Sequence, residues 1–410
     1  MTAYFDALET RSPDEREARL MEALPRQVAR ARETAGQAAL LSGVEPGDIA
    51  SREALAELPV IRKGDLMERQ AGMPPFGGLN RLPDGKLTRL FLSPGPIAEP
   101  QGRRPDYWRM ARALHAAGFR AGDIVLNCFS YHFTPAGMMF DGAAAAIGCP
   151  VIPGGTGQTE SQIEAIRRFR PVGYAGTPDF LKIVLDKADE TGADVSSIRR
   201  GGVGGGALLP PLRKEYDERG IAVLQSYGTA DVGLIAYESE AREGMILDEE
   251  IVVEIVRPGT GTPVPEGEVG EVVVTLLDED YPLLRFATGD LSAMMPGRSP
   301  CGRTAPRIRG WLGRADQRTK IRGMFVDPAQ IDRVLERHPE IGRMRLVVNE
   351  EGGIDAPVLQ CETGGGPEDL ADAVAGTFRS ECKLRVAVEL VDAGSLPNDG
   401  KIIDDRRDYG

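Results

Sequence analysis

Apolar residues recur along the chain with two different periods, and the change of period divides the sequence. Up to about Gln70 they fall at helical spacing, most clearly from Glu15 to Leu41, where Ala, Arg, Glu and Leu dominate. Residues 1–90 therefore read as a mostly helical supporting layer. From about Asp123 short apolar runs alternate with amphipathic stretches. Ile124–Phe129, Val151–Ile152 and Val172–Ala175 read as strands. Between them, Thr159–Arg170 reads as a helix opening on a capping box of Thr159 and Gln162, and Thr177–Thr191 as one with Thr177 as N-cap and Pro178 first. Strand, helix and strand in repetition predict a mainly parallel sheet flanked by helices.

Further along, Ile198–Gly206 predicts a strand running into glycines, Pro210–Arg219 a helix, and Ile221–Gln225 a strand that ends at Tyr227. Ligands of open α/β sheets bind beyond the carboxyl ends of strands, so this is where a site is expected. Ile251–Val256 and Glu271–Leu276 alternate with period two and predict an antiparallel β unit. After about Asp316 the pattern is that of a separate, small α+β module. Its helices are Pro328–Arg337 and Glu368–Cys382, and its strands Met344–Val348, Val358–Cys361 and Leu384–Leu390. The polar link Asp316–Thr319 marks the boundary, giving an N-terminal domain 1–315 and a C-terminal domain 316–410.

Composition narrows the function classes. A chain of 410 residues exceeds one ordinary core, which agrees with two domains. No apolar run is long enough to span a bilayer, and the start lacks the basic and apolar segments of a signal peptide. A cytoplasmic protein without a membrane partner is expected. Five scattered cysteines without a Cys-x-x-Cys pair argue against a disulfide framework or zinc ribbon, and three histidines are too few for a histidine-rich metal site. The net charge of −13 opposes nucleic-acid binding, and an anionic substrate would need local cations to offset it. Oligomeric state stays open between monomer and homodimer, with the helical N-terminal layer a candidate contact.

Chemistry enters through five short motifs in order: Tyr227-Gly-Thr-Ala-Asp231, Thr288-Gly-Asp290, Gly313-Arg-Ala-Asp316, Lys320-Ile-Arg-Gly323 and Gly400-Lys401. An aromatic ring at a strand end can stack on a purine, Gly228 admits a phosphate, and Asp231 can hold Mg²⁺. Asp290 can accept from ribose hydroxyls, and Arg314 can reach ribose or phosphate. A lysine preceded by glycine can enter a cleft as a point charge. Taken alone, the Tyr227 motif reads as readily as an ordinary strand-to-loop turn, Gly-Asp is favoured by turn chemistry, and Arg314 and Lys401 are more often solvated surface charges. Their order points to a nucleotide site. Gly201–Gly206 adds a strand end nearly bare of side chains, suited to face a flat ring.

With these residues assembled, the chain resembles the adenylate-forming superfamily and, within it, the phenylacetate–CoA ligase family. The resemblance runs from about Asp123 to the end and is most specific over Arg307–Asp332, preceded by Cys301-Gly-Arg-Thr304. It implies activation of a carboxylic acid, aryl or arylacetic, with ATP to an acyl-adenylate and transfer to coenzyme A, by a large domain and a small mobile lid. It also implies roles. Tyr227 would stack on adenine, Asp231 would bind Mg²⁺, and Asp290 with Arg314 would hold the ribose of ATP or AMP. Gly204, Gly205, Gly206, Ala207, Gly228, Thr229, Ile308 and Ser93 would complete the nucleotide site. Asp316 would be the hinge and Lys401 the catalytic lysine, with Lys320 and Gly323 on the lid's coenzyme A side. Tyr131, His132, Phe133, Ala136 and Gly137 would line the acid pocket, though His132 reads nearly as readily as a satisfied loop histidine.

The chain departs from that pattern in two places. A phosphate loop rich in Ser, Thr and Gly with a Lys near its end is expected, because hydroxyls and N–H groups must wrap the phosphates. Leu92–Gly102 instead carries one hydroxyl at Ser93, three prolines at 94, 96 and 100, and Glu99 where the cation belongs. Ala230 and Asp231 replace a hydroxyl residue and Glu. Weakened pyrophosphate handling is expected. Two other functions stay open: transfer of the acyl group to an amine or carrier protein, and a degenerate relative that only binds adenylates.

Overall fold

The computed structural model describes residues 4–93, 96–315, 317, 319–321, 324–351 and 354–407. The chain forms two compact units. The first runs to Glu254 and takes in Val273–Thr288 and Met294–Trp311; the second comprises Ile255–Val272, Gly289–Ala293 and Leu312 onward.

In the first unit a nine-stranded sheet has the order 294–295, 307–308, 245–247, 233–237, 222–229, 200–203, 173–176, 125–127, 151–153. The last five are parallel, in register through Val125 with Val151 and Gly173, Tyr174 with Gly201, and Gly201 with Val223. Both faces are buried, as a parallel sheet requires. Leu114, Phe119, Phe140, Ala143 and Leu234 belong to one core cluster, and Ile166, Leu181, Val184, Tyr216 and Val223 to another. The approach is close at Gly173, where a Cβ would stand 2.2 Å from the Phe119 ring. Ile251–Val256 and Gly270–Leu276 are neighbours in a four-stranded sheet with Phe286–Ser292 and Ile61–Arg62.

Three expectations about local structure change. The capping box at Thr159 is absent: the helix Thr159–Phe169 follows Gln158 in the left-handed region, without a side-chain cap. Gln162 is turned to the loop after the edge strand, donating to the Gly155 carbonyl at 2.7 Å. A capping box does open the helix Pro13–Arg32, where Ser12 and Glu15 exchange bonds of 3.1 and 2.9 Å. That helix stops nine residues short of Leu41, and only a short turn, Ala35–Ala38, follows. Finally, the strand expected to end at Gln225 runs on to Thr229, because Gly233–Tyr237 folds back and pairs with it.

The second unit is α+β. Its four-stranded sheet has the order 387–392, 354–363, 341–351, 403–405, with the central pair antiparallel and both outer strands parallel to their neighbours. Helices Pro328–Leu335 and Leu370–Cys382 bury Ile331, Val334, Val374 and Phe378 with Leu346, Val348 and Leu359 of the sheet. Among the described residues no helix is long and apolar enough to cross a membrane.

Candidate active site

The Tyr227 motif sits on a bulge. The register between Ala222–Thr229 and Gly233–Tyr237 slips between Tyr227 and Gly228, and a bulge of this kind re-aims the side chains beside it. Tyr227 is buried, with its hydroxyl 3.2 Å from Thr288 Oγ1, which joins the first two sequence motifs. The turn that follows is clamped from outside the motif. Trp108 Nε1 donates to the Ala230 carbonyl at 2.9 Å, and Leu234 N donates to the Trp108 carbonyl at 2.9 Å. Thr229 Oγ1 donates to Asp231 Oδ2 at 3.3 Å and accepts from Val232 N.

Asp231 is 3% exposed, and its Oδ2 lies 2.7 Å from Lys63 Nζ. Its Oδ1 is buried and has no hydrogen-bond partner among the described residues. Sequence reasoning missed Lys63, which lies 168 positions away on a single turn after the short strand Ile61–Arg62. That strand pairs in parallel with Phe286–Ala287, next to Thr288, and a long-range pairing of this kind leaves no local signal.

The expected phosphate loop is a β-hairpin, Arg89–Ser93 with Ile97–Gln101; Pro94 and Gly95 lie outside the described residues. Its only hydroxyl is taken, since Ser93 Oγ donates to Glu99 Oε1 at 2.8 Å. Glu99 does not face solvent. It is fully buried, and its Oε2 lacks a partner among the described residues. Burial and, next, the charge of Asp231 push its carboxyl up to about 7, against the opposing pull of Ser93 and Lys63.

Of the glycine-rich stretch, Gly204 is buried against Ser226 and Phe140, while Gly205, Gly206 and Ala207 are exposed beyond the strand Arg200–Val203. Ile308 is buried in the strand Arg307–Ile308, paired with Met245 and Met294. In the expected acid pocket, the Tyr131 hydroxyl accepts from Asn127 Nδ2 at 2.8 Å and donates to Asp141 Oδ1 at 3.2 Å. Burial and the Asp141 carboxylate raise its pKa above the usual tyrosine range. Gly137 packs on Ser130 and the Tyr131 ring at the start of helix Ala136–Ile147; His132 and Phe133 are exposed.

In the second unit, Asp290 and Arg314 face each other across an antiparallel bridge, with Arg314 Nη1 2.9 Å from Asp290 Oδ1. Bonds from Leu291 N to the Gly313 carbonyl and from Ala315 N to the Gly289 carbonyl fix that register. Arg314 and Lys401 line one cavity of about 320 Å³, together with Gln317, Thr319, Asp399 and Asp404. Gly400 is required before the lysine, because its φ is +72° and a Cβ would stand 2.6 Å from Val269. Gln317 was not assigned a role from sequence, yet it holds the loop. It donates to the Gly400 carbonyl at 2.7 Å and accepts from the backbone N–H groups of Ile402 and Ile403. Lys401 Nζ lies 2.8 Å from Asp404 Oδ1. Burial alone would raise the Asp404 carboxyl, but Lys401 and Arg406 hold it below its usual value. Asp316 and Gly323 fall outside the described residues, and Lys320 lies in the short strand Thr319–Ile321.

Residues 106–275 match the family described as AMP-binding enzymes, which sets the class as adenylate-forming. The phenylacetate–coenzyme A ligase of Thermus thermophilus is 32% identical over 355 residues, 81% of this chain and 79% of the relative. That of Aromatoleum evansii is 30% identical over 368 residues, 84% and 82% respectively. The chain belongs to the phenylacetate–coenzyme A ligase family. A crystal structure of 2-hydroxyisobutyryl-CoA ligase in an open conformation shares the fold, with a TM-score of 0.74 and 24% identity over 97% of this chain and 92% of that one.

Proposed function

We propose that this protein is an AMP-forming acid–CoA ligase that activates an aryl or arylacetic acid to its acyl-adenylate and then forms the coenzyme A thioester. The observation that carries the reading is the cavity shared by Arg314 and Lys401, with Arg314 locked to Asp290. Asp290 and Arg314 hold the ribose, and Tyr227 flanks the adenine. Lys401 places its ammonium between the acid's carboxylate and the α-phosphate, where negative charge develops as oxygen attacks phosphorus. Asp316 is the hinge, and Gly323 and Lys320 come to the coenzyme A side for the second half-reaction. The acid enters beside Tyr131, Ala136 and Gly137.

Mg²⁺ fits the residues present. Asp231 keeps one buried carboxylate oxygen without a partner among the described residues. No group of three or more His, Cys, Asp or Glu suited to a metal occurs among them. A site supplying one or two carboxylates, completed by phosphate and water, is the usual arrangement for Mg²⁺. Bound there, the ion would neutralise phosphate charge.

The test is a panel of carboxylic acids assayed by ATP–pyrophosphate exchange, with and without coenzyme A. Exchange with an aryl or arylacetic acid, and thioester with AMP when coenzyme A is added, is the expected result. Exchange without coenzyme A-dependent AMP release would reassign the acceptor to an amine or a carrier protein. No exchange with any acid would leave only adenylate binding.

A further inference from the structure

The hairpin carries no Lys or Arg from Leu90 to Gly102; its basic residue, Arg89, stands at the far end of the first strand and donates to Gln101. Its hydroxyl is engaged by Glu99, and the position expected to carry a lysine carries a buried acid instead. Pro96 and Pro100 offer no N–H. A polyanion binding to a chain of net charge −13 needs a positive group at its phosphates.

One ammonium stands at this place, on a segment that sequence reading assigned to structural support. Lys63 Nζ lies 2.7 Å from Asp231, and its side chain is 27% exposed while that of Asp231 is wholly buried. The buried partner is fixed; the lysine reaches it from the open side on a four-carbon stem. Its charge also acts on the Glu99 carboxyl from beyond contact distance, while Asp231 is its direct partner. Each acid keeps an oxygen without a partner among the described residues. The set therefore has acceptor capacity to spare, which a second cation can fill while the ammonium is released. Opening the pair would strand the buried Asp231 carboxylate, so release of the ammonium goes with the arrival of a second cation there, and the flexible stem lets the ammonium be redirected by a small change of torsion.

We propose that Lys63 is the triphosphate-binding cation of this protein: paired with Asp231 in the nucleotide-free state, it turns to the β- and γ-phosphates when a metal-bound nucleoside triphosphate enters. The assignment rests on the reading of the chain as an adenylate-forming ligase. Asp231 is the positioning residue in this arrangement: it holds the ammonium that stands in for a lysine carried by the loop itself.

Equilibrium binding of ATP with Mg²⁺, of pyrophosphate and of AMP separates this role from a purely structural one. Lys63→Gln should weaken ATP and pyrophosphate roughly tenfold or more, the size of one charge-assisted hydrogen bond, and leave AMP within about twofold. Lys63→Arg should recover part of the ATP affinity. Should the single variant fold poorly for want of a partner to Asp231, Lys63→Gln with Glu99→Gln removes one charge of each sign and should show the same selective loss. Equal losses for ATP and AMP, or unchanged ATP binding in a folded variant, overturn the assignment alone. A wild-type protein that binds none of the three overturns the ligase reading and this assignment with it.

Discussion

Around Lys401, Asp404 lies between two cations and Gln317 closes on three backbone groups. Around Asp231, one ammonium pairs with that carboxylate while the nearby Glu99 carboxyl has no cation in contact, and each acid keeps an oxygen with no partner among the described residues. Among the described residues both oxygens of Asp404 are paired, while Asp231 and Glu99 each keep one that is not. A buried acceptor left without a partner costs about 1–3 kcal/mol, so such atoms mark where a bound group completes the structure. The contrast places unsatisfied acceptors at Asp231 and Glu99, where the phosphates are proposed to bind.

The largest effect that would break this comparison is on stability. The Glu99 carboxyl, ordinarily at 4.5, is pushed up to about 7 by burial and by Asp231. The folded state therefore holds the proton more tightly than the unfolded state. The group costs nothing below about pH 4.5, and its penalty grows as pH rises to about 7, reaching about 3 kcal/mol. Glu99→Gln should remove that penalty. Urea unfolding should show the variant more stable than wild type at pH 8, with the gap closing toward pH 4.5. A gap of the same size at both pH values would mean that Glu99 is satisfied and that the two regions do not differ as described.

Next in size is the lysine. Lys401→Ala should lower adenylation roughly tenfold or more, measured by pyrophosphate exchange, while thiolysis of a preformed acyl-adenylate is spared. Equal losses in both half-reactions would show that Lys401 supports the loop and does not act at the α-phosphate. Gln317→Ala tests the same region through its scaffold. It deletes the side chain that holds Gly400, Ile402 and Ile403, so the ammonium remains but is less well placed. A fall of about fivefold in exchange is expected, matching about 1 kcal/mol of lost hydrogen bonding, with coenzyme A-dependent thiolysis unchanged.

The two regions also differed in how far they could be read from sequence. Asp290, Arg314 and Lys401 lie in short glycine-containing segments, and the backbone requires those glycines: at Gly400 both a positive φ and a close neighbour exclude a side chain. Turn chemistry of that kind is written locally. The parallel strands were legible too, because their apolar runs are short and bounded by helices, although the strand carrying Tyr227 proved longer once Gly233–Tyr237 paired with it. Lys63 was not legible. Its meaning depends on the parallel pairing of Ile61–Arg62 with Phe286–Ala287 and on a carboxylate far along the chain. Gln317 was missed for a related reason: its bonds go to backbone groups, which carry no signature in residue type.

The smallest expected effect sharpens the comparison at Tyr227, whose hydroxyl is paired. The hydroxyl faces Thr288 Oγ1 at 3.2 Å in a buried setting, and Tyr227→Phe removes one member of that pair while keeping the ring. The threonine hydroxyl would then be left to rotate toward another acceptor, so a loss of about 1 kcal/mol or less in stability is expected. AMP affinity should change by less than about twofold, because a purine stacks on the ring face and not on the hydroxyl. Calorimetry of AMP binding beside thermal unfolding measures both. A large loss of AMP affinity with unchanged stability would mean that the hydroxyl meets the nucleotide directly.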